Sequence, residues 1–289
     1  MKKSNCIISG IDLSPDTEKV ISYAAHFALK TGKALRLLYV IDYLLTPPAY
    51  LSSYIEEEKK REESELENWK SILSSKGIET EYGIVLGRLH ETFRKVIEEN
   101  SPELLVIGFK SHLLRPSSSE RLIKSLNIPI LVVRGRAAEK ASVGSVNIKK
   151  ILCPVDFSES SVKAVLKAKE YASILDADLT LLHVIPTYLI KEKWAVWQKL
   201  EEKDKLKFDS AMHSEAEANF SALIKECKID KRVEIYQGNP PETICSAAEK
   251  EYDLIIMGAR GLSYLEGVLI GSTTEAVIKS SPCPVLIVH

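Results

Sequence analysis

The sequence predicts two tandem copies of one α/β domain, each a doubly wound parallel sheet of about five strands with helices on both faces. Three observations predict this. The chain repeats itself, its most apolar segments are short continuous runs, and those runs alternate with helical patterns. Residues 5–42 laid over residues 149–186 match at 11 of 38 positions without a gap, including Asp12 with Asp156, Ser14 with Ser158 and Val40 with Val184. Further on, PELLVIG (102–108) parallels YDLIIMG (252–258), and NIPILVV (127–133) parallels PCPVLIV (282–288). Collinear blocks of this kind mark a duplicated unit. Continuous apolar strands separated by amphipathic helices imply a sheet buried on both faces.

Each copy opens on a β-rich run, Cys6–Ile11 in the first and Ile151–Val155 in the second. A helix follows; in the second copy Val162, Val165, Ala168, Ala172 and Leu175 recur at three- and four-residue steps. The second strands are Leu35–Ile41 and Leu179–Ile185. After each comes a long charged helical stretch, 56–70 and 191–220, that reads as a solvated face or a partner-binding helix, the latter because Trp194 and Trp197 stand close together. Strands Ile84–Leu86 and Val233–Tyr236, Leu104–Ile107 and Leu254–Met257, and Ile130–Val133 and Val285–Val288 complete the two sets. The expected domains are 1–137 and 149–289, and the small, polar segment 138–148 between them reads as a linker.

Composition narrows the function classes. Lys plus Arg is 39 and Asp plus Glu is 40, a net charge of −1, which argues against a nucleic-acid coat or a basic membrane-surface protein. No apolar run is long enough for a transmembrane helix. The five cysteines are scattered with no CxxC, which points to reduced thiols in a cytoplasmic protein. The six histidines show no ligand spacing, so no metal site is expected.

The chemistry-bearing stretch is GARGLSYLEGVLIGSTTEAV (258–277). Gly258 ends the fourth strand of the second copy, Gly261 follows, and Gly271, Ser272 and Thr273 open a helix. Glycines let main-chain amides approach an anion, and a helix amino terminus adds unpaired N–H donors. Arg260 supplies charge. The competing reading is structural: turn glycines, and a capping box made by Ser272 and Glu275. The first copy is an internal control. It keeps the box as Ser117 and Glu120, but reads GFKSHLLRPSSSERL (108–122), with Ser111 in place of the second glycine, Pro116 in place of Gly271, and about five residues fewer. Phosphate binding is therefore expected in the second copy and not in the first. Asp156, at the carboxyl end of a central strand, faces the expected crevice and could accept from ribose hydroxyls or cap the following helix.

With the pattern Gly258, Gly261, Gly271, Ser272 in the order G-x2-G-x9-G-[ST], the strand KILCPVDFS, the HVI after the second strand and the closing SSPCPVLIV, the chain resembles a tandem universal stress protein, with the adenine nucleotide alpha hydrolase-like fold. The resemblance covers nearly all of both copies. It implies ATP binding, with or without Mg2+. Pro154, Val155 and Asp156 would line the adenosine side, and Val184 would contact adenine through its backbone. Met257, Gly258, Arg260, Gly261 and Leu262, on to Tyr264, would wrap the phosphates, closed by Gly271, Ser272, Thr273 and Thr274. It also implies a pseudo-dimer within the chain through the two last strands, with a homodimer of chains left open. ATP would change the surface offered to an unidentified protein partner in a stress response. Three alternatives stand beside this reading: an enzyme splitting ATP between α and β phosphates (faintly suggested by SGIDLS, 9–14), a slow ATPase, and a nucleotide-independent interaction module. No catalytic residue is assigned.

Overall fold

The computed structural model describes residues 6–42, 52–109, 118–186, 202–229, 232–261 and 270–289. They gather into two compact units, Met1–Asn147 and Ile148–His289. The first holds β1 (Cys6–Ile11), α1 (Thr17–Thr31), β2 (Ala34–Ile41), α2 (Ser52–Ser75), β3 (Thr80–Leu86), α3 (Leu89–Asn100), β4 (Leu104–Gly108), α4 (Ser118–Ser125) and β5 (Ile130–Val133). The second repeats the order with β6 (Lys150–Pro154), α5 (Glu159–Leu175), β7 (Asp178–Pro186), α6 (Glu202–Cys227), β8 (Arg232–Gly238), α7 (Pro240–Glu251), β9 (Leu254–Gly258), α8 (Ser272–Ser280) and β10 (Val285–Val288). Within each unit the pairing is parallel. The strands lie in the order β3-β2-β1-β4-β5 in the first unit and β8-β7-β6-β9-β10 in the second. The chain reverses its direction of travel across the sheet beside β1 and β4, and beside β6 and β9. In such sheets the crevice lies at the carboxyl ends of those strands.

The central strands are apolar on both faces because helices cover both; Ile8, Leu104, Leu105, Leu152, Ile255 and Ile256 are all fully buried. Val165, Ala168, Ala172 and Leu175 form the buried stripe of α5. The outer strands are only partly buried, and they start earlier than their apolar runs suggest, at Thr80 and Arg232. Helix α6 buries a single stripe, Ala216, Phe220, Leu223 and Cys227, and leaves most of its surface in water. Trp194 and Trp197 lie outside the described residues. After β5, residues 136–138 form a short 3-10 turn whose Ala138 is buried.

Two features of the repeat are purely architectural. The turn after the first strand places a side chain in the left-handed region in both units, Leu13 at φ 50° and Phe157 at φ 63°. The hydroxyl of Ser119 in α4 donates to the Gly108 carbonyl at 2.6 Å, and that of Thr274 in α8 donates to the Gly258 carbonyl at 2.9 Å. Each bond ties a helix to the end of the strand before it. Strand β6 stops at Pro154, one residue before the expected end.

Candidate functional site

The site is built on the ends of β6 and β9. In the first unit the equivalent pair stays zipped: β1 and β4 are in register from Ile7↔Leu104 to Gly10↔Ile107. In the second the register runs only from Ile151↔Leu254 to Leu152↔Ile255. Pro154 explains the difference. The Val155 N–H donates to the Leu182 carbonyl of β7 at 2.8 Å, so odd-numbered residues of β6 bond toward β7 and even-numbered ones toward β9. The N–H needed to continue the β9 ladder would be that of residue 154, and proline has none. The hydrogen-bonded ladder between β6 and β9 therefore ends two residues sooner in the second unit. A proline inside an otherwise apolar central strand was the signal in the sequence.

Past Pro154 the chain turns through Asp156 and Phe157 into α5. Ser158 is the N-cap, accepting from the Ser161 amide at 3.2 Å. Asp156 does not cap the helix. Its Oδ1 accepts from the Ser158 amide at 3.1 Å and the Ser158 hydroxyl at 2.6 Å, and its Oδ2 lies on the side of the glycine segment. A Cβ added to Gly261 would collide with that Oδ2.

The three glycines answer to different demands. A Cβ on Gly258 would sit 2.8 Å from the backbone of Ser160, so α5 itself requires glycine there; Gly108 is likewise tight, 3.1 Å from Val20. Gly261 is required by Asp156. Gly271 is required by neither. Its backbone is extended, at φ −75° and ψ 156°, and the nearest atoms to an added Cβ are 3.5 Å away, which is ordinary contact. Gly271 is nonetheless the N-cap of α8, where Ser, Thr, Asp or Asn would satisfy a terminal amide. The expected capping box does not form. Ser272 is the first helical residue rather than the cap, and Glu275 pairs with Lys279 at 2.8 Å. The first intrahelical bond runs from the Glu275 amide to the Gly271 carbonyl at 2.9 Å, so helix geometry leaves the amides of Ser272, Thr273 and Thr274 without an acceptor inside α8. Ser117, which would cap α4, lies outside the described residues, as do Ser111, Pro116, Leu262 and Tyr264.

The segment is held against the sheet end by main-chain bonds. The Ala259 amide donates to the Val288 carbonyl and the Gly271 amide to the Ala259 carbonyl, both at 2.8 Å, and the Arg260 amide donates to Ser160 Oγ at 3.3 Å. These place Arg260 and Gly261 beside the start of α8. His289, next after β10, is held neutral, its pKa pushed down to about 4 by burial and then by the Arg260 charge. Arg260 thus brings a positive charge to this segment, and the Asp156 carboxylate lies beside the neighbouring Gly261. Met257 is buried in β9, and Val184 is buried near the carboxyl end of β7. The structure brings Asp156, Gly258, Arg260, Gly261, Gly271 and Thr274 together. The Thr274 side chain is committed to the Gly258 carbonyl, which leaves its amide for a ligand. Among the described residues, no group of three His, Cys, Asp or Glu could hold a metal ion, and no helix is long and apolar enough to cross a membrane.

Comparison with known proteins gives the same answer for both halves. The model of the universal stress protein family matches residues 5–134 and again 147–289. A universal stress protein of Methanocaldococcus jannaschii is 36% identical over 156 residues, half of this chain and 96% of its own length. One from Mycolicibacterium smegmatis is 25% identical across 98% of this chain and 96% of its own. The crystal structure of a universal stress protein from Archaeoglobus fulgidus superposes with a TM-score of 0.69 at 24% identity, covering 99% of each chain, and so shares the tandem fold.

Proposed function

Since this chain belongs to the universal stress protein family, we propose that it is an ATP-binding regulatory protein whose second unit holds the nucleotide. The observation that carries this is Gly271: a helix N-cap left as glycine although a Cβ there would meet only ordinary contacts, so that the amides at the helix start lack a side-chain cap beside the glycine segment. Amides at a helix start suit a phosphate group. Arg260 adds charge, and Gly261 lets the backbone run close. Asp156 Oδ2 is placed to accept from a ribose hydroxyl, and the open ends of β6 and β9 admit the adenosine, with Pro154, Val155 and Val184 along it. The triphosphate would lie against the amides of Ser272, Thr273 and Thr274. Bound ATP would fix the loop after Gly261 and so change the surface offered to a protein partner. A slow ATPase is the second reading. Hydrolysis needs a group that orients water at the γ-phosphate, usually with a metal; Glu266, the carboxylate of the glycine segment, lies outside the described residues. The test is to denature the purified protein and identify the nucleotide released, then to incubate the protein with ATP and magnesium and follow phosphate over hours. Released adenine nucleotide with no phosphate produced supports a binder. Absence of nucleotide, with no ATP taken up on titration, would remove the reading.

A further inference from the structure

We propose that His183 is a positioning residue: its ring takes the Val155 carbonyl and thereby releases the Val184 N–H for the base of the nucleotide. This rests on the nucleotide reading above. In the first unit β1 runs to Ile11, in register with Tyr39. In a parallel ladder of that register the Ile11 carbonyl accepts from the amide of Val40. The equivalent residues of the second unit are Val155, His183 and Val184. There the register ends one step sooner, at Pro154↔Leu182. The Val155 amide still donates to the Leu182 carbonyl at 2.8 Å, but its carbonyl accepts instead from His183 Nδ1 at 2.7 Å. A carbonyl can only accept, so Nδ1 carries the proton. The side chain has replaced the main chain at the last rung, and Val184 keeps a donor aimed from the carboxyl end of β7.

The ring is held for this task. Phe157 packs against it at 4.8 Å between centroids, and Phe220 of α6 meets Phe157 edge-on at 5.1 Å. Phe157 reaches this place from the left-handed turn beside Asp156. The first unit has the same turn and none of the cluster: Leu13 replaces Phe157 and Tyr39 replaces His183. Tyr39 points to another environment, its pKa pushed up to about 12 by burial and by the nearby Glu62 and Glu58. The unit with the glycine pattern is the unit with the imidazole. A main-chain donor at this position favours a base edge that presents an acceptor nitrogen, as adenine does.

The experiment compares ATP with inorganic triphosphate as probes, by titration calorimetry on the full chain, for wild type, His183→Phe and His183→Asn. His183→Phe is expected to weaken ATP about ten-fold and leave triphosphate unchanged, because the phosphate end is untouched. His183→Asn, whose Nδ2 can donate to the same carbonyl, is expected to restore ATP to within about three-fold of wild type. The Val184 amide resonance should shift on adding ATP in wild type and in His183→Asn. If His183→Phe does not fold, Phe157→Leu serves, since Leu13 occupies that turn in the first unit; about three-fold weaker ATP and unchanged triphosphate are expected. Equal ATP binding by wild type and the folded variant overturns the role of His183 and leaves the nucleotide reading standing. Equal loss of ATP and triphosphate also overturns it, as general damage. Wild type that binds no ATP removes both.

Discussion

The two halves share a fold and differ at the one place where the fold leaves a choice. In the first, the central strands stay paired in register as far as Gly10↔Ile107. In the second, pairing stops at Leu152↔Ile255, because the next amide toward β9 belongs to a proline. The tie from helix hydroxyl to strand-end glycine, the left-handed turn and the strand order survive in both. What the first half lacks is Pro154, the long glycine segment and the imidazole at the last rung. Duplication thus separates what makes the sheet from what the sheet carries: features in both halves serve architecture, and features in one half alone are those the proposed function assigns to a ligand.

Each substitution that follows either breaks that division or sharpens it. The largest effect is expected from Gly271→Val. A Cβ here meets only ordinary contacts, so the melting temperature should change little, whereas ATP affinity should fall about 100-fold as the side chain overpacks the phosphate approach. A large drop in melting temperature with affinity kept would make Gly271 a structural residue. Next, Asp156→Asn keeps an oxygen for Ser158 and removes the charge facing Gly261; ATP should bind about ten-fold more weakly, while Asp12→Asn should leave calorimetric affinity as it was. Matching losses in the two would erase the asymmetry. Pro154→Gly gives the second half the residue of the first. With an N–H restored, β6 can close on β9, and ATP affinity should fall about five-fold, a change of roughly 1 kcal/mol. An unaltered affinity would show that the proline does not open the site. The smallest effects should be symmetric. Thr274→Val and Ser119→Ala each leave a strand-end carbonyl without its hydroxyl donor. Each should cost about 1 kcal/mol, seen as roughly 4 °C in thermal melts. A clear difference between them would place Thr274 in the ligand site through its side chain.

Much of this was legible in the sequence, because period and repetition survive without coordinates. The apolar runs that became β1, β2, β4, β5, β7, β9 and β10 lie within a residue of the observed ends. The outer strands were harder: Thr80, Glu81 and Tyr82 alternate in polarity at a half-exposed edge, so apolarity alone found only their last part. The glycine pattern located the segment but not the distinct roles of its members. That Gly261 makes room for Asp156 and Gly258 for Ser160 depends on how α5, distant in the chain, approaches β9. The start of α8 was misplaced by one residue because a serine beside a glycine can stand on either side of a helix boundary, and only backbone angles decide. The His183 contact depends on ladder parity and on an unusual turn at Phe157, neither of which has a periodic trace.

The central claim is that one half binds nucleotide and the other does not, and stoichiometry tests it most directly. Titration of ATP into the nucleotide-free chain should reach one molecule per chain, and none with Gly271→Val. Two molecules per wild-type chain, or one that persists undiminished in the valine variant, would contradict it.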